Sequence, residues 1–378
     1  MKIGKDYWVA ISLLAGAIIG AGMFSLPFVF QSSGLTSGFF YLILITVIYA
    51  IVHLMYADVI LRTKERHRFV GYANVYLGQN LFWLTVAMTV VEMIFVLAIY
   101  LVLSQSFVGL IVPSSGNLTQ LLVFWLIGSV AIFASLRRLA FLESLITIGM
   151  VLIIIVIFIL AWFNYTDLPD NLWKINFSNI LFPLAPILFS LSGRVAIPIL
   201  IDFAKLKGRK PSFIKRSVIW GIVIPAIIYG LFAIGIIMLS GSASVDAVSG
   251  LIGKTSPTIL MIVGFLGLLS IFSSYILIGS DIKETLRYDL QMPGWLRLLI
   301  VVGSPVFLYF IGFQGLIGLI GIVGGIFLTI EGIMMVVIWL RADKILSEPS
   351  QLIGAFSRSM TWVLILVFAV TFVYEIIK

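Results

Sequence analysis

Two short runs of residues stand where an apolar chain has least use for them. The first is Gly20-Ala21-Gly22-Met23, inside the opening apolar stretch and followed by Pro27. The second is Phe189-Ser190-Leu191-Ser192-Gly193-Arg194, inside residues 179–203 and followed by Pro198. Glycine weakens a helix interior, and proline removes an amide donor. Each run therefore predicts a broken helix with free N–H groups on one side of the break and free carbonyls on the other. Amides at Ala21, Gly22 and Met23, at the positive end of a half-helix, suit a carboxylate. Carbonyls near Ile18 and Ile19, and at Phe189, Ser190 and Leu191, suit an ammonium group. A zwitterion fits the two together. Close helix packing is the competing reading, since Gly16 and Gly20 form a Gly-x-x-x-Gly pair.

Other side chains extend this set. The Tyr100 hydroxyl can reach a carboxylate, or else anchor its helix at an interface. Arg194 is costly in a membrane segment and is a functional residue by default. It can recognise an acidic side chain, serve a gate, or form a structural ion pair with Asp202 or Glu331. Glu92, Glu143 and Glu331 are acids within or near apolar segments, and so are candidates for carrying a proton.

The elements that must position these residues are membrane helices. Of 378 residues, 61% are hydrophobic and 11% charged, and the mean hydropathy is +1.19. A soluble domain cannot hide that much apolar surface. At about 20 apolar residues per crossing, eleven spans are expected. Their limits are 6–31, 36–61, 80–112, 119–136, 139–163, 179–203, 213–240, 256–282, 295–312, 314–341 and 358–377. Lysine and arginine then alternate as the positive-inside rule requires. With the N-terminus cytoplasmic and the C-terminus outside, all basic residues except Lys174, Lys254, Lys378 and Arg194 fall in inside segments. The net charge of +8 thus reflects loops facing anionic lipid and does not point to nucleic acid. The start of the chain loosely mimics a signal peptide, but its apolar run continues past any cleavage point and reads as mature protein.

The absence of cysteine rules out disulfides and thiolate metal sites, and His53 and His67 alone cannot build a metal centre. With no Walker-type sequence and no clustered nucleophile, the chain is not expected to be an enzyme. It reads as one transmembrane domain over residues 1–378. Five spans fill 6–163 and five fill 179–341. An odd number in each half makes the second enter the membrane inverted, and both breaks lie early in their halves. The eleventh helix, 358–377, stands outside this repeat.

The run Gly-Ala-Ile-Ile-Gly-Ala-Gly-Met-Phe-Ser-Leu-Pro (16–27) resembles the first-helix motif of the amino acid–polyamine–organocation superfamily. Leu-Phe-Ser-Leu-Ser-Gly-Arg-Val-Ala-Ile-Pro (188–198) resembles the sixth-helix motif of its aromatic (tryptophan/tyrosine) amino acid permease branch. Leu-Leu-Ser-Ile-Phe-Ser-Ser-Tyr (268–275), with Asp281 beyond it, and the glycines Gly321, Gly324 and Gly325 also fit. The resemblance implies a LeuT-type all-α bundle of 5+5 inverted repeats plus one helix. It implies a secondary active transporter that imports an aromatic or other neutral amino acid by ion-coupled alternating access at the cell membrane. Phe189 sits where the family carries an aromatic that caps the substrate. Ser270, Ser273 and Ser274 resemble the hydroxyls that, with first-helix carbonyls such as that of Ile19, complete a Na+ site in sodium-coupled members. Serines on a helix also bond their own carbonyls. Residues 144–163 contain no lysine, against the lysine-based proton coupling of some members, while aromatic permeases are typically proton-driven. No cofactor beyond Na+ or H+, and no obligate protein partner, is expected. A passive channel and an amino-acid-binding sensor are the alternatives.

Overall fold

The computed structural model describes residues 2–114, 116–133, 139–163, 170–288, 290–353 and 358–378. Among these, every regular element is helical. The chain opens with α1 (Lys2–Ile18), then a 3-10 turn (Ala21–Ser25) that runs into α2 (Leu26–Ser33). There follow α3 (Leu35–Arg62), the short α4 (Phe69–Leu77), α5 (Gln79–Ile111), α6 (Asn117–Phe133) and α7 (Leu139–Phe163). The second half begins with α8 (Leu184–Ser190) and α9 (Ala196–Leu206), then α10 (Pro211–Ser240) and α11 (Pro257–Tyr288). It continues through α12 (Gly294–Leu298), α13 (Ser304–Phe310), α14 (Leu316–Gly321), α15 (Leu328–Ile345) and α16 (Arg358–Ile377).

Among the described residues, six helical stretches are long and apolar enough to cross a membrane: Leu35–Arg62, Gln79–Ile111, Pro211–Ser240, Pro257–Arg287, Leu316–Ile345 and Met360–Ile377. Gly4–Ile18 and Ala21–Ser33 add a seventh as one span bent by 52°. Asn117–Phe133, Thr147–Phe163 and Gly294–Phe310 are apolar but shorter. Helix length therefore supports a coarser statement than eleven full spans. Hydropathy windows register apolar length and not continuity: 179–203 is divided between α8 and α9, and 295–312 passes through a π-helical turn at Leu299–Gly303. Arg137 and Arg138 lie outside the described residues, as does the side chain of Glu143.

The apolar side chains face outward as well as inward. Phe40, Ile43 and Val47 form one exposed stripe of α3, while its opposite side buries Tyr49, His53 and Tyr56. That distribution suits a lipid solvent, where the outer surface has no reason to be polar. Inside, α5 packs along α11, and α10 lies between α7 and α1.

Two local features hold the broken first helix in place. Its last carbonyls need partners from elsewhere. The Ser33 carbonyl accepts the Asn176 amide at 3.0 Å, and the Ser32 carbonyl accepts Asn176 Nδ2 at 3.0 Å. Gly34, at φ 91°, makes the turn into α3 against the Lys174 carbonyl, where any side chain would collide.

The basic segments meet at one end of the bundle. Arg66 pairs with Asp202, Arg68 with Glu284 and, at 3.0 Å, Asp281, and Arg209 with Asp6. Asp58 is the buried centre of this end. Its carboxylate accepts from the Gln351 amide (2.8 Å), the Leu352 amide (3.2 Å), Trp339 Nε1 (3.1 Å) and Arg62 Nη1 (3.1 Å). Two of these donors come from the segment after α15 and one from α15 itself, so the carboxylate docks both onto α3. Asp58→Ala strands those donors and breaks a buried ion pair, a loss of about 3 kcal/mol or more. The expected outcome is a lowered unfolding temperature of the detergent-solubilised protein; an unchanged melt would show that the docking contributes nothing.

Candidate functional site

The two broken helices run in opposite directions side by side: α1 packs on α9, and the Ala21–Ser25 turn and α2 pack on α8. The second break closes locally, with Leu191 donating to the Ile187 carbonyl (3.0 Å) and Ile197 to the Arg194 carbonyl (3.1 Å). Between the breaks lies a buried cavity of about 80 Å³. Its wall includes Gly20, Ala21, Gly22, Tyr100, Phe189, Ser190, Ser192 and Arg194. These sequence-predicted residues are thus brought together, joined by Glu92 from α5, Ser274 from α11 and Val323 from the π-helical turn Ile322–Phe327.

Others fall elsewhere. Met23 is fully buried beside the wall without lining it. Gly193 faces Ile18 and Leu14, where an added Cβ would sit 2.7 Å from Ile18 Cγ1. Ile19 is buried but does not line the cavity, and neither do Ser270 and Ser273. Ser273 Oγ donates to the Ser270 carbonyl at 3.0 Å, the within-helix bond that serines commonly make. Of the three serines only Ser274 reaches the cavity.

Gly22 has a role beyond leaving an amide free. A Cβ there would lie 2.7 Å from Ser190 Cβ and 3.0 Å from Ser190 N, so the two breaks touch backbone to backbone. Arg194 is paired with Glu331, Nε lying 2.6 Å from Oε2, and its guanidinium stacks 4.7 Å over the Phe69 ring. Asp202, the other candidate partner, goes to Arg66. The Arg194 N–H does not point at the carboxylate oxygen, so this contact is an ion pair without an aligned hydrogen bond.

Nothing in the sequence marks Tyr229 on α10 as part of the site. Its hydroxyl reaches the Ile18 carbonyl at 2.6 Å and the Ser190 carbonyl at 3.0 Å, one from each break. A tyrosine in a long apolar helix carries no local mark of such a partner 211 residues away. Tyr229→Phe leaves both buried carbonyls without this donor, at a cost of about 1–3 kcal/mol. Uptake should fall about tenfold, equivalent to about 1.4 kcal/mol at the site. Uptake at the parent rate would show that the staple is dispensable.

In the same turn as Gly22, Phe24 stacks edge-on against Phe107 (4.7 Å) and Phe232 (5.8 Å). Towards the basic end lies a second cavity, of about 490 Å³, walled by Tyr56, Phe69, Thr89, Pro198, Asp281 and Glu284 among others. Met93, Arg194 and Val195 line both cavities and separate them.

A closed site between two oppositely directed broken helices, inside a polytopic helical bundle, defines a membrane transporter. Solved structures share the fold. MhsT in complex with L-phenylalanine aligns over 97% of this chain and 98% of its own, with TM-score 0.67 and 13% identity. The nucleobase-cation-symport-1 family transporter Mhp1, in a closed conformation with bromovinylhydantoin bound, aligns over 98% and 91% (TM-score 0.63, 11% identity). The Eremococcus coleocola manganese transporter, in complex with an aromatic bis-isothiourea substituted compound, aligns over 98% and 86% (TM-score 0.65, 11% identity). No curated protein matches in direct sequence comparison. The Tryptophan/tyrosine permease family matches residues 4–373, and the chain belongs to that family. It is a multi-pass membrane protein, an aromatic amino acid permease with a LeuT-type fold, and not an enzyme.

Proposed function

We propose that this permease imports an aromatic amino acid by ion-coupled alternating access, with its substrate held between the two breaks. The observation that carries this reading is the convergence of half-helix amides, carbonyls, Tyr100 and Phe189 on one enclosed cavity. Amides of Ala21 and Gly22 receive the substrate carboxylate at the start of the 21–33 helix, whereas Met23, behind the wall, does not reach it. Carbonyls at the ends of α1 and α8 receive the ammonium, and Phe189 covers the ring. At about 80 Å³ the cavity is well below the range of about 300–1,000 Å³ usual for a ligand pocket. The conformation described is therefore a contracted one, and loading requires the partition to move. Merging with the 490 Å³ vestibule supplies the missing space.

The coupling ion is a proton in this reading. Glu92 lines the cavity and Glu331 sits behind Arg194, whereas only one serine of the candidate sodium set reaches it. The topology is eleven spans in the cell membrane, ten of them in inverted repeats over 6–163 and 179–341 and the last at 358–377. The N-terminus is cytoplasmic, so the vestibule opens to the cytoplasm.

The test is a competition screen of the twenty amino acids in proteoliposomes, with proton and sodium gradients imposed separately. Concentrative uptake of tryptophan or tyrosine, abolished by a protonophore, is the expected result. Flux that never exceeds the electrochemical gradient would make the protein a channel. Binding without counterflow would make it a sensor.

A further inference from the structure

Arg194 belongs to both cavities, and it is held there by a carboxylate. Three ionisable side chains meet at this point, all buried: Arg194 at 9% exposure, Glu331 at 6% and Glu92 at 8%. Glu92 lines the central cavity together with Arg194. One guanidinium cannot neutralise two carboxylates, and an unpaired buried charge is expensive. Among the described residues, none facing this point supplies a second cation. From α3, Tyr49, His53 and Tyr56 face the group; from α11, Asp281 does, and it is paired with Arg68. From α4 the contact is the Phe69 ring, and from α16 the ring of Phe368 packs on α15 at Gly332.

The polar atoms around Arg194 are also incompletely bonded. His53 Nδ1 faces the Tyr49 carbonyl at 2.8 Å, so Nδ1 carries the hydrogen and Nε2 is a bare acceptor. That Nε2, the Tyr49 hydroxyl, Glu331 Oε2 and Arg194 Nε are buried without an aligned hydrogen bond. Buried polar groups are normally satisfied, and clusters of exceptions mark functional positions.

We propose that Arg194 is a charge latch between the central cavity and the vestibule, thrown by uptake of one proton at Glu331. With Glu331 an anion, Arg194 is held in the partition, as seen here. With a proton on Glu331, that carboxyl is neutral and Arg194 is released, so that cavity and vestibule join past Met93 and Val195. Each transition moves one proton between a Glu331 carboxylate oxygen and water; no other bond forms or breaks. This assignment rests on the transport reading above and names the residues through which a proton would control access to that site.

The chain has no cysteine, so a single introduced thiol reports access cleanly. Ser192→Cys places it in the central cavity, to be labelled by a bulky hydrophilic thiol reagent on the detergent-solubilised protein. In that background labelling should quicken as pH falls. Adding Glu331→Gln should make it about tenfold faster at pH 8 and flatten the pH dependence, the effect of shifting a two-state latch to its open form. Adding Glu92→Gln, which leaves the Arg194–Glu331 pair in place, should keep the parental pH dependence. Rates and pH slopes unchanged by Glu331→Gln would overturn the latch; if that variant fails to fold, a slope abolished by Glu92→Gln would overturn it by placing the proton elsewhere. In proteoliposomes, labelled tryptophan and tyrosine counterflow should persist in Glu331→Gln. Accumulation, about tenfold per unit of pH gradient for one coupled proton, should fall to equilibration. Absence of counterflow by the parent protein would sink the transport reading alone, since the labelling result stands independently of it.

Discussion

Gly22→Val abolishes uptake while leaving the protein folded and membrane-inserted: that is the expected result, and the contact at Gly22 explains both halves of it. The position sits where the two broken helices touch, and an added Cβ would come within 2.7 Å of Ser190 Cβ and 3.0 Å of Ser190 N. Backbone on both sides of the contact leaves no flexible side chain to give way. Valine adds two methyl groups beyond that Cβ. Overpacking of this kind costs about 1–3 kcal/mol in stability, which a large helical bundle survives. The same displacement at a binding constellation is far more damaging, because a shift of about 1 Å loses about a hundredfold in rate. Gly20→Ala provides the internal comparison. Its Cβ would lie 3.6 Å from Ser274 Oγ, an ordinary contact, so a smaller loss is expected. The measurement is initial uptake of labelled tryptophan and tyrosine, normalised to protein in the membrane. Parental uptake by the valine variant would remove the meeting of the breaks from any role in transport.

The difference between these two glycines also shows what a sequence can and cannot reveal here. Glycine and proline interrupting an apolar run are legible because lipid penalises free backbone wherever it occurs. The breaks at Gly20–Gly22 and Ser190–Arg194 were therefore readable from residue types alone, and both were found in the structure. The reason for Gly22 was not readable. In sequence it offers an amide to a ligand; in the fold it also admits the Ser190 backbone from 168 positions away. Tyr229 was missed for the same reason, since its two acceptors are carbonyls contributed by other helices. Arg194 is conspicuous in the sequence as a charge in an apolar segment, yet the sequence alone does not choose between Asp202 and Glu331 as its partner. Three-dimensional packing separates them: Asp202 faces the loop at Arg66, and Glu331 faces the interior. Helix continuity was the least legible property. Hydropathy does not distinguish one long helix from two short ones joined by a π-helical turn, and the stretch from Gly294 to Phe310 is the second kind.

Arg194→Ala is expected to be among the most destabilising single substitutions in the chain, and Glu331→Gln is expected to restore part of the loss. The alanine variant leaves Glu331 and Glu92 buried together without a counter-charge, and strips the guanidinium from the face of Phe69. Breaking a buried pair by removing one partner costs about 3–5 kcal/mol, most of it the desolvated charge left behind. Removing the Glu331 charge as well takes that penalty away, so the double variant should be more stable than Arg194→Ala alone. Thermal unfolding in detergent of the parent, the two singles and the double forms a mutant cycle whose non-additivity measures the pairing directly. Additive effects would mean that the 2.6 Å contact carries no coupling. Selectivity separates this structural role from substrate recognition. With its charge occupied by Glu331, Arg194 has little left to offer an acidic substrate. Aspartate and glutamate should therefore compete as poorly against tryptophan in the stable double variant as in the parent. If acidic competitors instead bind the parent and lose that binding only when Arg194 is replaced, the guanidinium faces the substrate and the ion pair with Glu331 is secondary.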